Sequence, residues 1–332
     1  MFKSLTCLRV ADTWEHPGVP ALDEQLSRRI FHPCGPTERL RAGWVPPRGV
    51  AHGPLAESVG GQVLMKLRVE SRLLPASAVR QEVELRLDAI EDETGRRPRG
   101  KRKKELKEQV EHELLPRAFT RQGETLVWLD PQARRLVIGT TTSRLLDLVA
   151  TELTETFDGK LPIAPLHTAV SPSVAMGHWL LDGEAPSGFT VDQDCVLRAP
   201  DDSRATVRYA RHPLDHAQVV EHVREGKLPL QLAMTWADRV SCLLTDAMHL
   251  KRLQFPELES EAGQTGGGRR AGGKDDHFDA NAALVTGDLS RLLGDLIEAL
   301  GGEAAPGRPG VTSSQTPTGP TSDAPFATAN GS

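Results

Sequence analysis

Between Ala78 and Leu114 the chain carries two one-sided helical patterns separated by a run that cannot continue a helix. Before the break, Val79, Val83, Leu87 and Ile90 recur at steps of four, four and three, which places one apolar stripe on a helix. After it, Leu106, Val110 and Leu114 recur at steps of four with charged residues between them. Gly95, Pro98 and Gly100 interrupt helix in the middle. This pattern predicts an antiparallel helical hairpin that protrudes as a finger, with a loop at its tip and its second helix ending near Pro116.

The charge at that tip is unusual for this chain. Gly95 to Arg121 holds ten basic and four acidic residues, hence a formal charge of +6. The whole chain stands at −5, so the remainder carries −11. Positive charge concentrated on an otherwise acidic protein is the footprint expected for a polyanion. The candidate contacts are Arg96, Arg97, Arg99, Lys101, Arg102, Lys103 and Lys104 in the basic run. Arg117, Phe119 and Arg121 follow at alternate positions, which point one way if the chain is extended. An aromatic between two arginines can stack on or wedge between bases while its neighbours hold phosphates. Against this stand two plainer readings: a charge run as a solvated loop, and Phe119 as a core residue.

Elsewhere the chain reads as mixed α and β. Phe2 to Val10, Gln62 to Val69, Thr125 to Leu129 and Arg135 to Gly139 pattern as strands, with Val63, Met65, Leu67 and Val69 on one face of the second. Ala21 to Ile30 and Thr141 to Phe157 pattern as helices. FHPCG (Phe31 to Gly35) and GWVPP (Gly43 to Pro47) read as turns around a buried tryptophan. Further on, Leu228, Leu230, Leu232, Met234 and Trp236 alternate without a miss, and Arg239 to Thr245 and Leu250 to Phe255 continue an antiparallel meander. Arg208 and Arg211 fall outside the inward positions of the strand around Val207, which makes them solvent-facing candidates. Leu289, Leu292, Leu293, Leu296, Ile297 and Leu300 form an amphipathic helix stopped by Gly301-Gly302. The expected class is α+β with antiparallel sheets and packed helices. Four parts are expected: a central domain from 1–75 and 117–160, the finger at 76–116, a second α+β domain at 161–303, and a disordered tail at 304–332, poor in large apolar residues.

Catalytic patterns fail on inspection. His112-Glu113 opens like a zinc-peptidase helix, but Pro116 stands where the second histidine is needed. Gly268 to Lys274 has phosphate-loop spacing, yet Asp275 follows instead of a hydroxyl residue, and no apolar strand leads in. No acid–base pair, nucleophile elbow or metal knuckle is present, so neither a catalytic residue, a metal ligand nor a cofactor is expected. Cys7, Cys34, Cys195 and Cys242 are scattered, which suits buried thiols in a reducing cytosol. Leu161 to Leu181 has no Asp, Glu, Lys or Arg, but Pro162, Pro165, Pro172, His167 and His178 argue for loops and a short helix against a membrane span.

An ordered series of short motifs resembles one family. FHPCG, GWVPP, Leu73-Leu74-Pro75, LLPRAF (Leu114 to Phe119), Trp128 with Asp130, Lys251-Arg252-Leu253 with Phe255, Thr286-Gly287 and LGGE (Leu300 to Glu303) together are similar to the RdgC family of bacterial recombination-associated proteins. The match runs from the first strand to Glu303. The glycine-rich insert around Gly263 to Gly273 and the tail depart from it. The resemblance implies a non-enzymatic, nucleoid-associated cytoplasmic protein. It implies a ring-shaped homodimer that encircles double-stranded DNA with little sequence preference, and that restrains the RecA recombinase by occupying DNA. Single-stranded DNA is a second form of the same ligand. The alternatives are an RNA- or ribosome-associated protein using the same basic loop, and a metal-dependent nuclease.

Overall fold

The first strand of the chain lies in the middle of the sheet. In the computed structural model, which describes residues 1–214, 217–256 and 274–304, β1 (Ser4–Val10) pairs antiparallel with two strands that are remote in sequence. On one side Thr6 to Arg9 oppose Ile138 to Arg135 of β6 (Arg135–Ile138); on the other, Ser4 to Thr6 oppose Lys251 to His249 of β12 (His249–Gln254). The remaining strands are β2 (Leu40–Val45), β3 (Ala56–Val59), β4 (Gln62–Leu73), β5 (Phe119–Asp130), β7 (Ile163–Pro165), β8 (Phe189–Arg198), β9 (Thr206–Tyr209), β10 (Leu228–Trp236) and β11 (Val240–Thr245). They form one sheet in the order β2-β4-β5-β6-β1-β12-β11-β10-β8-β9, with β3 on β4 and β7 on β1. The pairings are antiparallel, and the fold is α+β.

Strand alternation explains how this sheet is covered on both sides. In β1, Leu5 and Cys7 enter one apolar layer while Leu8 and Val10 enter the other. Trp128 in β5 and Val137 in β6 join Leu5, whereas Val127, Leu129, Leu136 and Ile138 join Val10. β4 does the same: Val63, Met65 and Leu67 share one face, as their spacing predicts, but Leu64 is fully buried on the other. The Val10 layer is closed by α1 (Val19–Ser27), through Leu22 and Leu26, and α4 (Ser143–Thr156), through Val149 and Leu153. The Leu5 layer is closed by α5 (Pro172–Asp182), α6 (Ala217–Arg224) and α7 (Lys274–Ala299). The α7 stripe of Leu289, Leu292, Leu293, Leu296 and Ile297 is buried as its pattern predicts. Each such side chain contributes roughly 1.5–3 kcal/mol by leaving water.

Several expectations change in detail. α1 stops at Ser27, so Ile30 is not in its register; it is half exposed and forms a parallel bridge with Trp44. Gly43, Trp44 and Val45 are strand residues of β2, not a turn. Trp44 is fully buried, its indole Nε1 donating to Thr156 Oγ1 at 2.8 Å. Gly43 is required there because a Cβ would sit 2.5 Å from the Phe31 Cα, where the FHPCG segment crosses β2. β8 is a strand that the residue pattern does not mark. Cys7, Cys195 and Cys242 are buried and Cys34 is partly so; burial pushes the first three thiols up to about 12. The glycine-rich segment 257–273 and the tail 305–332 lie outside the described residues. No described helix is long and apolar enough to cross a membrane.

Candidate nucleic-acid interface

The basic run spans the turn between two helices, inserted between β4 and β5, and the start of the second. α2 (Ala76–Thr94) follows β4 after Leu74-Pro75; α3 (Lys101–Leu114) returns through a 3-10 turn, Leu115–Arg117, into β5. The helices pack through Val79, Val83, Leu87 and Val110, with Leu74, Leu106 and Leu114 against them, as their periodicities predict; Ile90, expected on the same stripe, lies outside this cluster. Gly95 ends α2 in the left-handed region at φ 68°, its N–H donating to the Glu91 carbonyl at 2.7 Å.

The structure redistributes the basic residues. Arg96, Arg97 and Arg99 lie in the connecting turn, but Lys101, Arg102, Lys103 and Lys104 form the first turn of α3 instead of a loop, because nothing after Gly100 breaks helix. That first turn holds no acidic residue, and Gly100 supplies no side-chain cap. Lys101, Lys104 and Lys107 each reach a glutamate four residues on, at 3.8 Å. Arg97 is held by Glu84 and Asp88, each at 2.5 Å, and by Glu91 at 3.0 Å, while Lys103 also reaches Glu84 at 2.9 Å. Lys103 and then Arg97 hold the Glu84 carboxyl below the usual carboxylate range. The side chains of Arg96, Arg99 and Arg102 are exposed and make no ion pair or hydrogen bond among the described residues.

Arg117, Phe119 and Arg121 are all exposed. Arg117 belongs to the 3-10 turn, so it does not share a strand alternation with Phe119 as expected; Phe119 and Arg121 do, on β5. Phe119 is 85% exposed, which removes its reading as a core residue. Beside it sits a residue that sequence patterning did not single out. The Arg72 guanidinium donates to the carbonyls of Gly35, Leu115 and Ala118 at 3.2–3.3 Å, and to those of Cys34 and Pro116 at 3.4 Å. It thereby ties the exit of α3 to the FHPCG segment. An arginine in a strand has no sequence signature for this role.

Arg208 and Arg211 are elsewhere. Arg208 is exposed on β9, at the far end of the strand order from β2, β4 and β5. Arg211 lies beyond β9, at φ 53°, so the strand argument does not apply to it. Its backbone N–H donates to Asp194 at 2.9 Å, and Arg252 reaches the other oxygen at 2.8 Å. The Arg211 N–H, then Arg252, hold the Asp194 carboxyl below its ordinary range. Among the described residues no three His, Cys, Asp or Glu side chains converge on a common point fit for a metal ion.

Sheet, inserted helix pair and exposed cations define an α+β protein with a helical insertion between two long strands, cationic at its turn and at the start of its second helix. Over residues 1–303 the chain matches the family model described as "Putative exonuclease, RdgC". It is 43% identical to the recombination-associated protein RdgC of Dechloromonas aromatica over 305 residues, covering 91% of this chain and 98% of that one. It is 42% identical to the protein of the same name from Cupriavidus pinatubonensis, covering 91% and 98%, and 40% identical to that of Herminiimonas arsenicoxydans, covering 92% and 99%. The chain belongs to the RdgC family.

Proposed function

We propose that the protein binds DNA without sequence preference and acts in recombination by occupying it, without catalysis. The observation that carries this reading is the start of α3. Cations at a helix N-terminus oppose the positive end of the helix dipole. The Lys-to-Glu order of the three following pairs is also the weaker orientation. Apart from Lys103, which reaches Glu84 on α2, these cations give the fold little reason to place them there. An anion gives one: the same N-terminus offers backbone N–H groups and a favourable field to phosphate. The helix pair, residues 76–116, is the DNA-contacting finger in this reading, and Phe119 stands at its base to stack on bases.

The relatives' printed name and the resemblance in the motifs support the rest of the proposal. The protein is a ring-shaped homodimer around duplex DNA, located on the cytoplasmic nucleoid, and it competes with RecA for sites. Closure adds topological retention to phosphate contacts that repeat along any duplex. The test is duplex affinity as a function of salt, with structured RNA as competitor. Affinity that falls steeply with salt and survives excess RNA supports the reading; a strong preference for RNA overturns it. Because the family description names an exonuclease, linear and supercoiled DNA are incubated with the protein and magnesium or manganese. Degradation or nicking that co-purifies with the chain and is lost in a carboxylate variant replaces the non-enzymatic reading.

A further inference from the structure

We infer that Arg97 is a positioning residue: it clasps the turn between α2 and α3 to α2, and so aims Arg96, Arg99 and Arg102 outward. This rests on the DNA-binding reading above and divides the labour among its cations. The turn itself, Gly95 to Gly100, contains no large apolar side chain to anchor it, and its two glycines, at φ 68° and 55°, are free to adopt other conformations. The Thr94 hydroxyl donates to the Arg96 carbonyl at 3.2 Å and the Gly95 N–H to the Glu91 carbonyl, but the side chain that clasps the turn to the face of α2 is one guanidinium. Nη2 of Arg97 meets Glu84, and Nη1 meets Asp88 and Glu91. These carboxylates stand at i, i+4 and i+7 along α2, so they share one helix face. Glu84 also takes the Lys103 ammonium, so one carboxylate fastens both the turn and the first turn of α3.

The contrast with the flanking residues is the argument. Arg97 is surrounded by three carboxylates, so a phosphate approaching it meets a net negative neighbourhood. The side chains of Arg96 and Arg99, its neighbours in the same turn, have no partner among the described residues and are exposed. A planar fork can span several carboxylates, whereas a lysine ammonium is a point charge that engages one or two at a time. Ordering the turn before DNA arrives spares the complex that ordering cost.

Arg97→Lys in the full chain tests this, because it keeps the charge and loses the fork. Two readouts are taken: hydrogen exchange of the backbone amides from 95 to 104 in the free protein, and duplex affinity across a salt series. We expect exchange to be about threefold faster or more and affinity to fall about threefold to tenfold, with the salt slope unchanged because the charge is kept. Arg144→Lys, at an exposed arginine of α4 outside the helix pair, is the control and leaves exchange and affinity as in the wild type. Unchanged exchange overturns the inference, whether or not affinity falls. Faster exchange with unchanged affinity overturns it too, leaving Arg97 an ion pair without a role in binding. If the wild type shows no salt-dependent duplex affinity, the underlying reading fails, and this role for Arg97 falls with it even where exchange is faster.

Discussion

Phe119 lies directly opposite Leu73 at the last rung of the β4–β5 ladder, and both side chains face solvent, Phe119 at 85% and Leu73 at 48% exposure. An apolar pair held out at a strand end contributes little to the fold of this chain. Phe119→Ala should therefore leave the unfolding free energy, read by chemical denaturation, within about 0.5 kcal/mol of the wild type. If Phe119 stacks on bases, duplex or single-strand affinity falls by roughly 1–3 kcal/mol with the salt slope preserved. A stability loss of roughly 3–5 kcal/mol, the signature of a core phenylalanine, would contradict the exposure.

The cations of the basic run should not contribute equally. Neutralising Arg96, Arg99 and Arg102 together to Gln should make the slope of log affinity against log salt shallower by up to about three, at about 0.9 per phosphate contact. Fold stability should barely move, since exposed charges contribute little. A slope indistinguishable from the wild type would shift the DNA site away from the helix pair and towards Arg208 and Arg211.

Glu70 should make stability depend on acid. It is buried, accepts the Cys34 N–H at 2.6 Å and the Gln122 amide at 3.3 Å, and its carboxyl is held below the ordinary glutamate range, first by the Cys34 N–H. A carboxyl with a depressed folded pKa stabilises the fold above its unfolded value, about 4.3, and loses that contribution as pH falls through the lower folded value. Glu70→Gln should thus cost roughly 1–2 kcal/mol in urea denaturation at pH 7. The gap to the wild type should narrow on acidification below about pH 4. An equal gap at neutral pH and in acid well below that point would show that the ionised carboxylate is not the source.

Gly43→Ala should destabilise the crossing of the FHPCG segment over β2. The new methyl would meet the Phe31 backbone, at 2.5 Å from Cα and 2.7 Å from N, and neither is the far end of a flexible side chain. We expect a loss of roughly 1–3 kcal/mol, as for overpacked cores, read by thermal denaturation. A melting curve like that of the wild type would mean that the segment lifts off β2 without cost.

Much of this fold was legible because the elements concerned have one dry face and one wet face. The α2 and α3 stripes short of Ile90, the α7 stripe, and Leu232, Met234 and Trp236 of β10 report their own burial, whereas Leu228 at the start of that alternation is exposed. β8 was not legible: Asp192, Gln193 and Asp194 interrupt its alternation, and it is fixed by pairing with β10 across two register shifts. Nor was the joining of the strands on either side through β1, since pairing partners more than a hundred residues away leave no local mark. At the candidate interface the residue types were visible but their partners were not. Nothing in the run Arg96 to Lys104 distinguishes Arg97, which folds back on Glu84, Asp88 and Glu91, from Arg99, which does not.

The central place of β1 also sets an order of events in time. Residues 4–10 leave the ribosome well before their hydrogen-bond partners in β12, which begin at His249. At about 5–20 residues per second, translation separates the two strands by roughly 10–50 s. For that interval the edge of β1 that β12 will cover is an unsealed seam, of the kind that recruits strands from other chains. The half-sheet ending in β6 can already have closed against its other edge. A nascent chain stalled before His249 is therefore the form of this protein most in need of a chaperone.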